Sequence, residues 1–126
     1  MIENKQLTVD IEAIYTSPGT PGDVNVQSAI TTLIFCNTTD PDDSTIAPTS
    51  GAYGGDTNID VYLVKSGATA DPTVNAIIKN LKLPAGETVF FDNERIVLGA
   101  GESIQARSSE NNKVIATGST PSISLP

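Results

Sequence analysis

"LKLPAGETVFF", residues 81–91, is followed almost at once by "IVLGAGESIQA", residues 96–106. Leu83-Pro84-Ala85-Gly86-Glu87-Thr88 is echoed by Leu98-Gly99-Ala100-Gly101-Glu102-Ser103. A glycine phrase used twice is either a ligand loop or a piece of architecture. A phosphate-binding loop needs a strand before it, a helix after it and usually a closing Lys-Ser/Thr pair. Here the residues after Glu102 are strand-like, and Glu102 itself would repel phosphate. Turn chemistry fits better. Pro is favoured at the second position of a type I turn, and Gly takes positive φ without steric cost. Pro84-Ala85-Gly86 and Gly99-Ala100-Gly101 therefore read as three-residue turns, with Gly86 and Gly101 left-handed. Apolar runs stand on both sides of each phrase, so each reads as a tight reversal between strands.

The chain around them has the same character. Leu7, Val9, Ile11 and Ala13 alternate with Thr8, Asp10 and Glu12, which predicts a half-buried strand over 6–16. "SPGTPGD", 17–23, is a turn cluster. Val24, Val26, Ile30, Thr32, Ile34 and Cys36 share one parity across 24–37, a long strand bent near Ser28-Ala29. Leu33 and Phe35 fill its other parity, which suggests cover on both faces. Residues 58–65 form a strand with Ile59, Val61 and Leu63 on one face and Tyr62 on the other. Residues 74–81 have a helical spacing, but Leu81 and Leu83 alternate, and a short strand over 77–83 is the reading adopted. The last strands are 102–108 and 113–117, joined by "SENN". Seven or eight short strands, regular turn signals and no convincing helix predict an all-β chain. The expectation is a single antiparallel β-sandwich, Ig-like or jelly-roll-like, spanning 1–126. It carries a long loop at 38–57 and an extended tail at 119–126.

A chain of 126 residues that is 38% hydrophobic is one domain with a real core. Its net charge of −8 argues against a nucleic-acid backbone or an anionic membrane as partner. Cys36 is the one cysteine, so no internal disulfide forms, and its apolar surroundings suggest a buried thiol. The first residues lack the basic start and apolar run of a signal peptide, and no segment has the length of a membrane span. Synthesis and folding in a reducing cytoplasm are expected.

Histidine is absent, which removes imidazole bases, Ser-His triads and most zinc sites. Asp92 and Glu94 lie in the polar turn "FDNER", as a solvated turn would use them anyway. No enzyme activity and no cofactor are expected. Asp40-Pro41-Asp42-Asp43 offers oxygen ligands of the kind calcium takes, but lacks the spaced pattern and closing Glu of an EF-hand, so a solvated loop is the stronger reading. Tyr15, Tyr53 and Tyr62 could each stack on a sugar, without spacing that implies a shared platform.

Several of these segments carry a resemblance. Ile14 to Thr16 with Pro18 and Gly19, the strand end Cys36-Asn37, Val61 to Val64 with Ser66-Gly67, and both glycine phrases together resemble small β-sandwich structural proteins of tailed bacteriophages. The resemblance covers most of the chain, and its motifs are turn and core signals. The 38–57 loop departs from it, being more acidic and richer in glycine. The resemblance implies a virion component made in the infected cell. A capsid decoration or cement protein that binds the major capsid protein and copies of itself comes first. A neck, tail or fibre-base piece, or a receptor- or glycan-binding module, is the alternative. Under that reading the candidate contacts are the elements the core does not explain: Met1 to Gln6, Asp40, Asp42, Asp43 and Tyr53 in the long loop, and Ser122, Ile123 and Leu125 in the tail.

Overall fold

A computed structural model describes residues 2–20, 27–39, 56–91 and 96–119. They form ten strands and no helix: β1 Ile2–Gln6, β2 Glu12–Thr16, β3 Gln27–Ile30, β4 Thr32–Asn37, β5 Thr57–Val64, β6 Ala76–Leu83, β7 Thr88–Phe91, β8 Ile96–Gly99, β9 Ser103–Ser108 and β10 Val114–Ser119. Sheet A has the order β1-β10-β4-β7, sheet B the order β2-β9-β5-β6, and β3 pairs with β8 in a separate ribbon. Every pairing is antiparallel. Leaving out the ribbon strands, sheet A holds the first, last, third and sixth strands, and sheet B the second, seventh, fourth and fifth. That is the strand order of a jelly roll, which selects between the two sandwich types expected from the sequence.

The core lies between the sheets. Leu33 and Phe35 of β4, Val114 and Ala116 of β10, Ile59 and Val61 of β5, and Ile104 and Ala106 of β9 are all buried. Phe35 meets Phe91 edge to face, with ring centroids 6.1 Å apart. This period-two burial is what alternation demands of a sheet packed on one side. β5, central in sheet B, is buried on both faces, with Tyr62 and Val64 opposite the core side.

Two strands expected to be continuous are broken. The 6–16 strand is interrupted between Gln6 and Glu12, where the chain crosses from sheet A to sheet B. Leu7 is buried there, its N–H donating to the Val114 carbonyl at 2.8 Å, while Val9 and Ile11 are exposed. Ile14, rather than Ala13, faces the core. The 24–37 strand changes partner at Thr31, whose N–H donates to the Ser119 carbonyl. Side-chain parity flips at that step, so Leu33 and Phe35 face inward and Ile34 and Cys36 outward. Cys36 is accordingly half-buried rather than buried. Val24 and Val26 lie outside the described residues. Residues 2–6, read as a contact segment, form an edge strand.

The repeated phrase is a turn in both places. Gly86 has φ 78° and Gly101 φ 77°. The Glu87 N–H donates to the Pro84 carbonyl and the Glu102 N–H to the Gly99 carbonyl, each at 3.1 Å. A glycine of φ near +80° at the third position of a bonded four-residue turn is type II geometry, with Pro84 and Gly99 at the first position rather than the second. The flanking strands do not pair with each other. β6 belongs to sheet B and β7 to sheet A, while β8 belongs to the ribbon and β9 to sheet B. Each phrase is therefore a corner between sheets instead of a hairpin. β5–β6 is the one place where consecutive described strands pair.

Both corners are clamped in the same way. The Gly86 N–H donates to the Asn37 carbonyl, and the Asn37 N–H to the Glu87 carbonyl. In the other corner Gly101 donates to Ser17, and Ser17 to Glu102. The repetition in sequence is thus a repetition of architecture: the same turn, docked on the end of β4 in one case and just past β2 in the other.

Candidate functional site

The corners carry no reactive arrangement. Asn37 is fully buried, its Nδ2 donating to the Leu83 carbonyl at 2.9 Å while its Oδ1 accepts the Thr39 N–H at 3.0 Å. Glu102 folds back so that its Oε1 accepts the Gly99 N–H at 2.6 Å. Pro84 has no N–H, so Glu87 has no equivalent task. Pro84, Gly86, Gly99 and Gly101 are structural, as their turn chemistry indicates.

One buried charge stands out in sheet B. Asp60 is 4% exposed in the middle of β5. Its carboxylate accepts the Asn80 N–H at 2.7 Å, the Lys79 ammonium at 3.2 Å and the Arg107 guanidinium at 3.4 Å. Opposite it β6 bulges: Ile59 pairs with Leu81 and Val61 with Ile78, leaving Lys79 and Asn80 to face one residue, and Asn80 takes φ 54°. The carboxylate locks the bulge and is balanced by two cations, which is a structural role. The cluster is not among the sites expected from the sequence, where an aspartate inside the apolar run "NIDVYLV" was its available signal.

Tyr15 and Tyr62 offer no aromatic platform. Tyr62 is 1% exposed, and Tyr15 is half-buried with its hydroxyl donating to Ser28 Oγ at 3.1 Å. Among the described residues no group of His, Cys, Asp and Glu could hold a metal ion. The recess between Glu3, Ile14, Tyr15, Ile30 and Leu33 does not admit a water molecule. Asp40, Asp42, Asp43, Tyr53, Asp92, Glu94, Ser122, Ile123 and Leu125 lie outside the described residues.

What remains is a surface. The registers place Gln6, Ile115, Cys36 and Thr88 in one row across the outside of sheet A, and Asn4, Thr117, Ile34 and Phe90 in the next. Their alternates in the central strands, Leu33, Phe35, Val114, Ala116 and Gly118, are buried inward. Neither outward row holds a charge. Phe90 is 60% exposed and Ile115 36%. Sheet B is different on the outside: it carries Arg107, Lys79 and Asp60 in one cluster and Lys82 paired with Asp56 at 3.3 Å. A chain of net charge −8 thus keeps two full rows of this face, across all four described strands, free of charge. Singly exposed apolar residues such as Val74 and Val97 need no explanation, whereas Phe90 and Ile115 are exposed on one face among uncharged neighbours. No family model, no curated protein and no solved structure matches the chain.

Proposed function

We propose that the chain is a non-enzymatic structural protein of a tailed-phage virion, a capsid decoration or cement protein that attaches in many copies to the particle. The observation that carries this reading is the neutral outer face of sheet A. A protein that works by adhesion needs a surface whose desolvation costs little, and uncharged rows with exposed Ile and Phe provide it. The negative charge elsewhere keeps unattached copies soluble and apart. Weak individual contacts add up on a symmetric lattice through high effective concentration. The motif resemblance and the jelly roll, an architecture found among viral capsid proteins, point the same way, although the fold alone serves many tasks. A neck, tail or fibre-base position would use the same face. The glycan-binding alternative gains nothing from Tyr62, which is buried, or from Tyr15, which is half-buried with its hydroxyl donating to Ser28.

The test is the copy number in purified particles, measured by quantitative mass spectrometry against the major capsid protein. A decoration protein is expected at a copy number comparable with that shell protein. A handful per particle would move the protein to the neck or tail, and absence from particles would refute the proposal.

A further inference from the structure

Two sheets have four edges, and an unguarded edge is a template for another strand. Three are guarded. β1 carries Glu3 and Lys5, β2 carries Glu12, and β6 carries Lys79 and Lys82 together with the Asn80 bulge. The fourth, β7, reads Thr88-Val89-Phe90-Phe91, without charge or bulge. No described strand pairs with its outer side.

The polar groups on that side can be assigned. The Asn37 N–H donates to the Glu87 carbonyl, so this opposed pair is hydrogen-bonded. Antiparallel pairs alternate, so Val89 and Phe91 exchange bonds with β4, and Thr88 and Phe90 turn their N–H and C=O groups away from it.

We propose that β7 pairs antiparallel with β7 of a second copy of this chain, joining two A sheets into one sheet of eight strands. The register follows from the assignment. With Val89 opposite its own counterpart on a two-fold axis, Thr88 of each copy meets Phe90 of the other, and all their outward N–H and C=O groups are satisfied. The occupant is a second copy because of charge. Two chains of net −8 repel unless they meet at a neutral surface, and this edge is neutral and self-complementary. A cationic partner would find no carboxylate within β7 to recognise. The axis stands perpendicular to the sheet, so both neutral faces lie on the same side. One face measures roughly 300 Å² in projection, and pairing doubles it towards the ~800 Å² per partner of a standard interface. The inference deepens the adhesive reading and rests on it for the use of the doubled face, though not for its test.

The test is sedimentation equilibrium on the whole chain, with amide hydrogen exchange. The wild type is expected to be a dimer, with the Thr88 and Phe90 amides exchanging at least tenfold more slowly than in a monomeric variant. The double variant Thr88→Lys/Phe90→Lys places like charges directly opposite across the axis and should be monomeric, as should Thr88→Glu/Phe90→Glu. Mixing the two should restore a dimer, which a misfolded variant could not do. A monomeric wild type, a Lys variant as dimeric as the wild type, or a mixture that stays monomeric overturns the proposal. Failure of particle binding with the dimer intact would instead refute the proposed function.

Discussion

Replacing Asn37 by Ala tests the account of the corners most severely. The side chain is fully buried and bonds two backbone groups, the Leu83 carbonyl and the Thr39 N–H, both in buried residues. Truncation orphans the Thr39 N–H and removes one bond to the Leu83 carbonyl, which stays paired with Thr57 in the β5–β6 ladder. An orphaned buried group costs about 1–3 kcal/mol and the lost bond about 1 more, so the loss is about 2–4 kcal/mol. That is a large share of the ~5–15 kcal/mol by which domains are usually stable. Ser17 is the control, because it occupies the same place in the second corner. Its Oγ lies 2.8 Å from Ser28 Oγ, and Ser28 keeps the bond from Tyr15 after Ser17→Ala. The expected cost there is about 1 kcal/mol or less. Urea unfolding followed by far-UV circular dichroism measures both, as a fall in midpoint at unchanged slope. Equal losses for Asn37→Ala and Ser17→Ala, or a loss below about 1 kcal/mol for Asn37→Ala, would mean that the buried Asn37 amide does not hold the corner.

Three further outcomes are expected. Gly86→Val and Gly101→Val should each cost about 2 kcal/mol or more in thermal melts, and Gly86→Asn and Gly101→Asn clearly less, because Asn tolerates the left-handed region; equal costs for Val and Asn would mean that the φ values do not matter. Glu102→Ala should cost about 1 kcal/mol through loss of the bond to the Gly99 N–H, while Glu87→Ala, facing a proline without that donor, should cost almost nothing. The Asp71 carboxyl should titrate below the ordinary aspartate value of 3.8, because the Thr73 N–H and hydroxyl donate to its ionised form. Its folded value is lowered, so its small contribution to stability is present above the unfolded value and lost as pH falls through the folded one. Carboxyl chemical shifts followed by NMR read that midpoint, and one at or above 3.8 would contradict the assignment.

The glycine phrases were legible because positive φ at Gly86 and Gly101 follows from local chemistry. A type II turn closes within four residues whatever the flanking strands do next. For the same reason the phrases could not reveal that β6 and β7 belong to different sheets. Parity was legible only between breaks. Leu7 and Ile14 are both inward although seven positions apart, because the chain changes sheets between them, and the same happens between Ile30 and Leu33. Asn37 looked like a polar residue at a strand end, and nothing in a single strand shows that a corner from residues 83–87 will bury it. The neutral face was hidden most completely. Its rows draw on four segments, β1, β10, β4 and β7, and come together only when the registers are known. The Asp60 cluster was half-legible, since a charge inside an apolar strand announces a partner without naming it.

Attachment to a particle through the neutral face of sheet A is read by mixing purified protein with particles that lack it and sedimenting them. Ile115→Lys places a charge in the middle of the face at a residue already 36% exposed, and Asn58→Lys places the same charge at the one exposed position of β5, on the outside of sheet B. Ile115→Lys is expected to stay folded and lose most co-sedimentation, while Asn58→Lys binds like the wild type. Undiminished binding of Ile115→Lys, or equal loss in both variants, would contradict attachment through this face.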